Sequence, residues 1–424
     1  MSPQTGRGVR PRGFDPEEIS RLVNRNVIDQ HASEAAFLWM QRSQAVHAPH
    51  FKLKHLAKLD SRVLAHLEGL RVGGAAAAAA AKAALAELGP GTLFVAAHVA
   101  FSTRDSREMF RVLQLGLSDA ALEGALLSAI AWTEPAVARP AITQLCSSDV
   151  PSHRRIGLRA LVAHRLDATP EIERAAHSPD PSLRALAFRA AGETHLRELT
   201  STAERALHDP EALCRFWAGW CLALFGDADA AKAAFEAGWP IPAVRDVALE
   251  VAARRGEPKW VQEVVRSLAV SPATRREAIR ALGMLGDPIA VPWLLLQLDD
   301  PIHGRIAGEA FSMITGVDLE FLDLNDDPPE EAEGGVEIDP HDSNLPLPNS
   351  GAVNAWWHQH RSRFSESERY LAGQPISPTS ARTVLREGYQ RQRAAAAFEL
   401  ACLDGSVLFP VDSRADWQQR RLAS

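Results

Sequence analysis

The sequence predicts an all-α solenoid of about six or seven two-helix repeats, each about 30 residues long, with helical regions at both ends. Prolines recur at intervals of 29 to 32 residues, and an arginine follows each proline closely. Gly-acid pairs recur between the prolines. Because the series run in phase, they indicate a genuine repeat. The prolines are Pro151, Pro181, Pro210, Pro242, Pro272 and Pro301; the arginines are Arg155, Arg184, Arg215, Arg245, Arg275 and Arg305; the pairs begin at Gly192, Gly226, Gly256 and Gly286.

The clearest unit runs from Ser271 to Asp300. Its first helix places apolar residues at i, i+3, i+4 and i+7, which is the spacing of one helix face. Gly286-Asp287-Pro288 then predicts a helix end followed by a new N-cap and first turn. The second helix is also apolar on one side. One hairpin of this size cannot bury its apolar stripes alone, so the units must stack.

Arg275 to Leu298 resembles HEAT repeats of the short, bilin-lyase-like kind, and Asp180 to Glu193 resembles them in part. The resemblance covers about residues 150–316, and Asp119 lies one period before Asp149, which indicates one more degenerate unit upstream.

A wider resemblance covers both flanks. The stretches from His31 to Trp39 and from Leu59 to Leu70 resemble the opening of an uncharacterised bacterial family of HEAT-repeat proteins, and the ending is similar too. That resemblance implies an adaptor role beside type VI secretion genes and carries over no catalytic residue. Its candidate motif residues here are Trp39, Arg62, His66, Trp356, Trp357 and Tyr370.

The predicted organisation has five parts. They are a disordered leader (1–14), an N-terminal helical region (15–118), the repeat solenoid (119–317), a flexible acidic segment (318–350) and a C-terminal helical cap (351–424). Asp15-Pro16 predicts the start of the first helix. Asp318 to Asp342 holds eleven carboxylates and no Lys or Arg, so the net charge of −7 divides into −11 for this segment and +4 for the remainder.

Composition limits the function classes. A net charge of −7 argues against nucleic acid as the main partner, because phosphate binding needs excess Lys and Arg. No apolar run reaches the length of a membrane span, and the N-terminus lacks a secretory pattern, so we expect no membrane insertion and a cytoplasmic location. Four cysteines without a CxxC pair predict no disulfide framework.

The sequence lacks the common motifs of serine hydrolases, nucleotide-binding proteins and zinc proteases, so we expect no enzyme activity, cofactor or metal site. Asp323, Asn325 and Asp327 have the first ligand spacings of a calcium loop, but prolines replace the required glycine. His358 and His360 diverge if they lie on a helix, and we expect them at a solvent-facing helix. Two further candidates, Cys214 and Cys221, share one face of an aromatic helix, and we expect them to be core thiols.

The arginine series has two interpretations. In one, each arginine reaches an Asp or a carbonyl in a neighbouring turn and holds the stack together, which suits its planar fork. In the other, the arginines line a surface that binds an acidic partner or phosphates. We favour stacking, because a stacking contact must recur in every repeat.

Three function hypotheses follow. The first is a protein-interaction scaffold, because stacked hairpins offer a long binding face. The second is nucleic-acid binding or glycosylase-like base excision, supported by the pairs Arg154-Arg155, Arg254-Arg255 and Arg275-Arg276 with Trp217, Trp239 and Trp260. The third is a lyase-like accessory enzyme that handles a cofactor, for which the sequence identifies no nucleophile and Cys146 or Cys402 would be a guess. We adopt the first, with another protein as the partner; the oligomeric state stays open.

Overall fold

The computed structural model describes residues 24–327 and 338–423. The predicted leader and the helix start at Asp15 lie outside these residues. The chain divides into two compact units, Met1–Arg42 with Leu59–Arg139 and Ser43–Lys58 with Pro140–Ser424. Within the described ranges, no helix is both long enough and apolar enough to cross a membrane.

The first unit is built from paired helices. Two long helices begin the described chain, and two short hairpins follow them. They are α1 (Arg25–Ala45), α2 (Leu53–Ala84), α3 (Pro90–Thr103), α4 (Ser106–Gly116), α5 (Ala120–Trp132) and α6 (Pro135–Cys146), of which the end of α1, the start of α2 and α6 from Pro140 onward belong to the second unit. The α3–α4 hairpin lies within the region predicted as merely helical, so hairpins begin before residue 119. Gly74 in α2 has φ 50° and ψ −121°, so the helical backbone is interrupted before the alanine run.

The second unit contains five further hairpins and one single helix. They are α7 (Pro151–Ala163), α8 (Thr169–Ala176), α9 (Pro181–Thr194), α10 (Thr200–Ala206), α11 (Ala212–Leu224), α12 (Ala228–Gly238), α13 (Arg245–Arg255), α14 (Pro258–Val270), α15 (Arg275–Leu285), α16 (Val291–Leu295) and α17 (Gly304–Thr315). The first helices of successive hairpins pack side by side from α7 to α17. The predicted all-α solenoid is confirmed.

Local signals place the helix ends where the sequence predicted them. Asp180 accepts a hydrogen bond from Leu183 N at 3.0 Å and begins α9, and Asp227 begins α12 in the same way. Gly286 has φ 74° and ends α15, because a left-handed residue without Cβ closes a helix at little cost. Small residues then allow close packing of neighbouring first helices: a Cβ on Gly283 would lie 2.9 Å from Ala310 Cα.

The acidic segment differs from the flexible segment predicted for 318–350. On its N-terminal side, β1 (Asn325–Asp326) pairs antiparallel with β2 (Leu347–Pro348). On its C-terminal side, Asp342 is only 1% exposed and accepts hydrogen bonds from Arg276 Nε and Nη2 at 2.7 and 2.8 Å. The C-terminal side is therefore anchored to the repeats, because burial of a carboxylate requires a cationic partner. Leu319 and Leu345, one on each side, are also buried in the same cluster as residues of α17. Residues 328–337 lie outside the described part.

The C-terminal region also differs from the predicted terminal cap. It comprises α18 (Ser350–His360), β3 (Tyr370–Leu371), β4 (Gln374–Pro375), α19 (Pro378–Glu387), α20 (Gln390–Asp404) and α21 (Ala415–Ala423). Tyr370 N donates to Gly286 O at the end of α15, whereas Leu408 N donates to Glu193 O in α9. The region therefore runs back along the first helices of the hairpins instead of only closing the end of the array.

Candidate functional site

The repeated arginines hold successive hairpins together. Four of them, at the first turn of a first helix, donate to a carbonyl six residues earlier. The bonds run from Arg154 to Ser148 (3.4 Å), Arg184 to Ser178 (3.0 Å), Arg215 to Asp209 (2.8 Å) and Arg245 to Trp239 (3.0 Å). Each accepting carbonyl lies just beyond the preceding second helix. A guanidinium there satisfies an otherwise unpaired C=O and complements the negative end of the helix dipole.

The structure changes the register of the predicted series at three positions. In the first unit of the series, the bond to the carbonyl comes from Arg154, the neighbour of the predicted Arg155, and adjacent helical residues point about 100° apart. At Arg275 the equivalent bond comes from its neighbour Thr274, whose hydroxyl donates to Leu268 O at 2.8 Å. Arg305 instead donates to Leu345 O, near the C-terminal end of the acidic segment.

Arg184 adds a direct link between repeats. Its Nε and Nη2 donate to the two carboxylate oxygens of Asp209 at 2.9 and 3.0 Å. Asp209 also accepts from Glu211 N at 2.9 Å, so it orders the start of the next hairpin. The hydrogen bond from Arg184 lowers the pKa of Asp209 and raises that of the arginine. These contacts support the interpretation in which the arginines hold the repeats together, rather than the one in which they line a binding surface.

The N-terminal motif residues have different surroundings. Trp39 stacks on Phe94 with ring centroids 4.7 Å apart and donates to Ser128 Oγ at 2.9 Å, so it belongs to the core. His66 Nδ1 lies 3.0 Å from His31 Nδ1, and burial followed by repulsion from His31 lowers the pKa of His66. Arg62 is exposed.

The C-terminal motif residues pack at the end of the second unit. Trp356 and Trp357 meet Phe311 edge to face at centroid distances of 5.8 and 6.3 Å. Tyr370 is 4% exposed, and its hydroxyl donates to Glu368 and accepts from Ser365 N. These aromatic residues therefore stabilise the fold of the second unit.

Three of the four cysteines, Cys146, Cys214 and Cys221, are buried, and Cys402 is half-buried. Burial raises the pKa of Cys146 and Cys214 to about 11 and that of Cys402 to about 12, and it raises the pKa of Cys221 as well. Thiols with raised pKa values stay protonated at neutral pH and are poor nucleophiles. The described residues contain no cluster of three or more His, Cys, Asp or Glu side chains suited to a metal ion.

A buried ion cluster joins the returning C-terminal region to the array. Glu399 in α20 is 1% exposed and accepts hydrogen bonds from Arg254 Nη1 at 3.1 Å and Arg369 Nη2 at 2.8 Å. Burial by itself lowers the pKa of Arg254, but Glu250 and Glu399 more than offset it, so the pKa is raised. No local pattern in the sequence predicts this cluster, because its members are up to 145 residues apart.

A cleft of about 360 Å³ lies between the array and the returning chain. The first helices α7, α9, α11 and α13 form one side, and α20 with residues 408–412 forms the other. Its lining combines charge and aromatic surface, including Arg165, Arg189, Glu193, Trp217, Trp220 and Phe398. No local pattern in the sequence predicts this site, since eight of its twenty lining residues come from the returning region.

The second helices differ in what they expose. The outer face of α14 presents polar and charged residues, among them Gln262, Glu263 and Arg266, and one exposed apolar residue, Val270, at its C-terminal end. Around α16, by contrast, Ile289 is 56% and Leu296 76% exposed, with Pro292 exposed between them. An exposed apolar stripe of this kind is typical of an interaction surface.

A family model described as HEAT repeats matches residues 240–314, from α13 into α17. The array is HEAT-like. Among solved structures, the chain is similar to human deoxyhypusine hydroxylase in complex with glycerol, at 20% sequence identity and a TM-score of 0.26, covering 68% of this chain and 97% of that one. No curated protein matches the chain.

The HEAT-like array therefore has two different sides in its second unit. The first-helix side is occupied by the protein's own C-terminal region, which leaves the cleft as its open feature. The α16 stripe, defined by Ile289, Pro292 and Leu296, stays uncovered.

Proposed function

We propose that the protein is a non-catalytic interaction scaffold whose partner protein binds the α16 stripe. One observation carries the proposal: the large apolar side chains Ile289, in the turn before α16, and Leu296, at its C-cap, are exposed. Leu294 and Leu295, on the other side of the same helix, are buried in the array and hold it in place. A fixed apolar surface can bind a partner with little loss of conformational entropy.

The charges around the stripe indicate the chemistry of the partner. Residues 287–300 contain three Asp and no Lys, Arg or His. Asp287 precedes the stripe and Asp299 follows it. An amphipathic helix with an apolar face and flanking Lys or Arg residues would complement both features. The wider sequence resemblance supports a component of a bacterial secretion system as this partner, and hence a cytoplasmic adaptor.

The test compares two charge substitutions at similarly exposed apolar positions. Leu296→Asp places a carboxylate in the stripe, and Val72→Asp, at a side chain 69% exposed in the first unit, is the control. We expect the wild type and Val72→Asp to capture the same partner in cross-linked pull-downs, and Leu296→Asp to lose it. The helical circular dichroism of all three should agree, because neither position is buried.

Two results would contradict the scaffold proposal. Equal capture by both variants would remove the α16 stripe as the binding surface. Salt-sensitive binding of a DNA duplex without any stripe-dependent protein partner would favour the nucleic-acid hypothesis instead. A stripe-dependent partner that is no secretion component would refute only the adaptor role.

A further inference from the structure

The cleft beside α20 contains two buried donors without acceptors. Arg165 Nη1 and Trp220 Nε1 are both inaccessible to solvent, and neither has a hydrogen-bond partner among the described residues. Both residues line the same cleft. A buried N–H without an acceptor is costly, so two of them in one cleft indicate that an acceptor group enters it.

The electrostatics indicate that this acceptor is anionic. Arg165 keeps one bond within the protein, from Nη2 to Leu408 O. Burial, and then repulsion from Arg421, lower the pKa of Arg165 to about 10, so it is still charged at neutral pH. Two carboxylates that line the cleft act on Arg165, and neither is hydrogen-bonded to its Nη1: Glu193, which already accepts from Arg189 Nε at 2.7 Å, and Asp412. An incoming carboxylate would therefore meet a guanidinium that the protein itself leaves partly unpaired.

The other residues that line the cleft favour a ligand whose anionic group is attached to an aromatic ring. Trp217 and Trp220 meet at a centroid distance of 5.3 Å, and Phe398 of α20 lies 6.5 Å from Trp220 on the other side. Phe409 also lines the cleft. The volume of about 360 Å³ falls in the range of small-molecule sites, which combine apolar walls with a few placed polar groups.

We propose that the cleft binds a small aromatic carboxylate, whose carboxylate accepts hydrogen bonds from Arg165 Nη1 and Trp220 Nε1 and whose ring packs against the aromatic lining. The site goes beyond the scaffold function, because it lies on the opposite helices of the repeats. Since α20 and residues 408–412 form one wall, a bound ligand also ties the C-terminal region to the array.

The test measures binding of 2-naphthoate by isothermal titration calorimetry, with the uncharged 2-naphthamide as the matched ligand control. We expect the full-length protein to bind the carboxylate at least about tenfold more tightly than the amide, since a hydrogen bond to a charged group is worth that much. Equal affinity for the two compounds, or no binding of either, would overturn the proposal.

Two variants then test the donors. Trp220→Phe keeps an aromatic ring and removes the N–H, and it should weaken 2-naphthoate binding about tenfold. Trp239→Phe, outside the cleft, should leave the affinity within about twofold. Arg165→Met should abolish the preference for carboxylate over amide. If that variant does not fold, Trp220→Phe still decides, because unchanged affinity in a folded Trp220→Phe protein refutes the assigned contact.

A competition experiment with a peptide distinguishes a free small-molecule ligand from the C-terminal carboxylate of a partner protein. A tetrapeptide that ends in Phe with a free C-terminal carboxylate is titrated against its C-terminal amide. We expect 2-naphthoate to bind and the peptide not to compete with it. Carboxylate-dependent displacement by the peptide would overturn the small-molecule assignment in favour of a partner's C-terminus.

Discussion

Replacement of Arg184 by Met tests whether the arginine series holds the repeats together. The side chain donates two hydrogen bonds to Asp209 and two to the carbonyls of Ser178 and Pro179, all between 2.9 and 3.0 Å. Its exposed fraction is 18% and that of Asp209 is 10%, so the pair is neither fully solvated nor fully buried. Because the pair is partly buried, the free energy lost on breaking it should lie between the losses for surface and for buried ion pairs. We therefore expect Arg184→Met to lower the unfolding free energy by about 2 kcal/mol.

The matched control is Arg275→Met. Arg275 occupies the predicted series position of its own repeat, yet it makes no hydrogen bond or ion pair to the described residues. We expect this variant to lose less than about 0.5 kcal/mol. Urea denaturation followed by circular dichroism measures both, and amide hydrogen exchange should show the Arg184→Met loss concentrated in α9 to α11, because solenoid stability is a sum of neighbour contacts.

A double-mutant cycle with Asp209→Asn isolates the direct link. We expect a coupling of about 1–2 kcal/mol at pH 7. The folded-state pKa of Asp209 is lowered, so its contribution is fully present above the unfolded pKa and disappears as the pH falls through the folded pKa, below about 4. Equal losses for Arg184→Met and Arg275→Met, or a coupling near zero, would refute the stacking role.

Three further predictions concern the parts that the sequence did not place. Glu399→Gln removes the buried carboxylate that Arg254 and Arg369 share and leaves Glu250 as the charged partner of Arg254, so it should lower the unfolding free energy by about 3 kcal/mol in urea titrations; a loss under about 1 kcal/mol would contradict a buried ion pair. Asp342→Asn weakens its fork with Arg276 and should speed amide exchange in residues 338–350, whereas unchanged exchange would mean that the segment is not anchored there. The four thiols should react with a chromogenic disulfide at pH 8 much more slowly than after denaturation, since their pKa values are raised; rapid native reaction of any one of them would refute its burial.

The repeats could be predicted from the sequence because the signals that build them are local. Asp180 and Gly286 act within one turn of their own helices, so their spacing reveals each hairpin without knowledge of the rest. The choice between Arg154 and Arg155 could not be made in the same way. Both fit a period near 30 residues, and only the helix phase decides which one faces the preceding carbonyl.

The C-terminal region and the cleft were missed because they depend on long-range contacts. Asp342 and Arg276 are 66 residues apart, and Glu399 and Arg254 are 145 apart. From the sequence alone, both acidic residues are expected to be exposed to solvent, since acidic residues are rarely buried. The two donors without acceptors in the cleft, Arg165 Nη1 and Trp220 Nε1, could not be predicted from the sequence either. Trp220 lies on a helix rich in aromatic residues, and that pattern predicts only that the helix is part of the core.

The two sides of the second unit allow stability and binding to be separated by mutation. Arg184 lies between hairpins and Glu399 fixes the C-terminal region, so changes at either residue should alter stability before they alter partner specificity. Leu296 is 76% exposed on a helix that is held by other residues, so Leu296→Asp should remove a partner at nearly unchanged stability. If Arg184→Met abolished partner capture while folding remained intact, the arginine series would be a binding surface. The opposite pattern assigns the arginines to the fold and binding to the α16 stripe, and it directs a search for the partner to proteins that present a basic amphipathic helix.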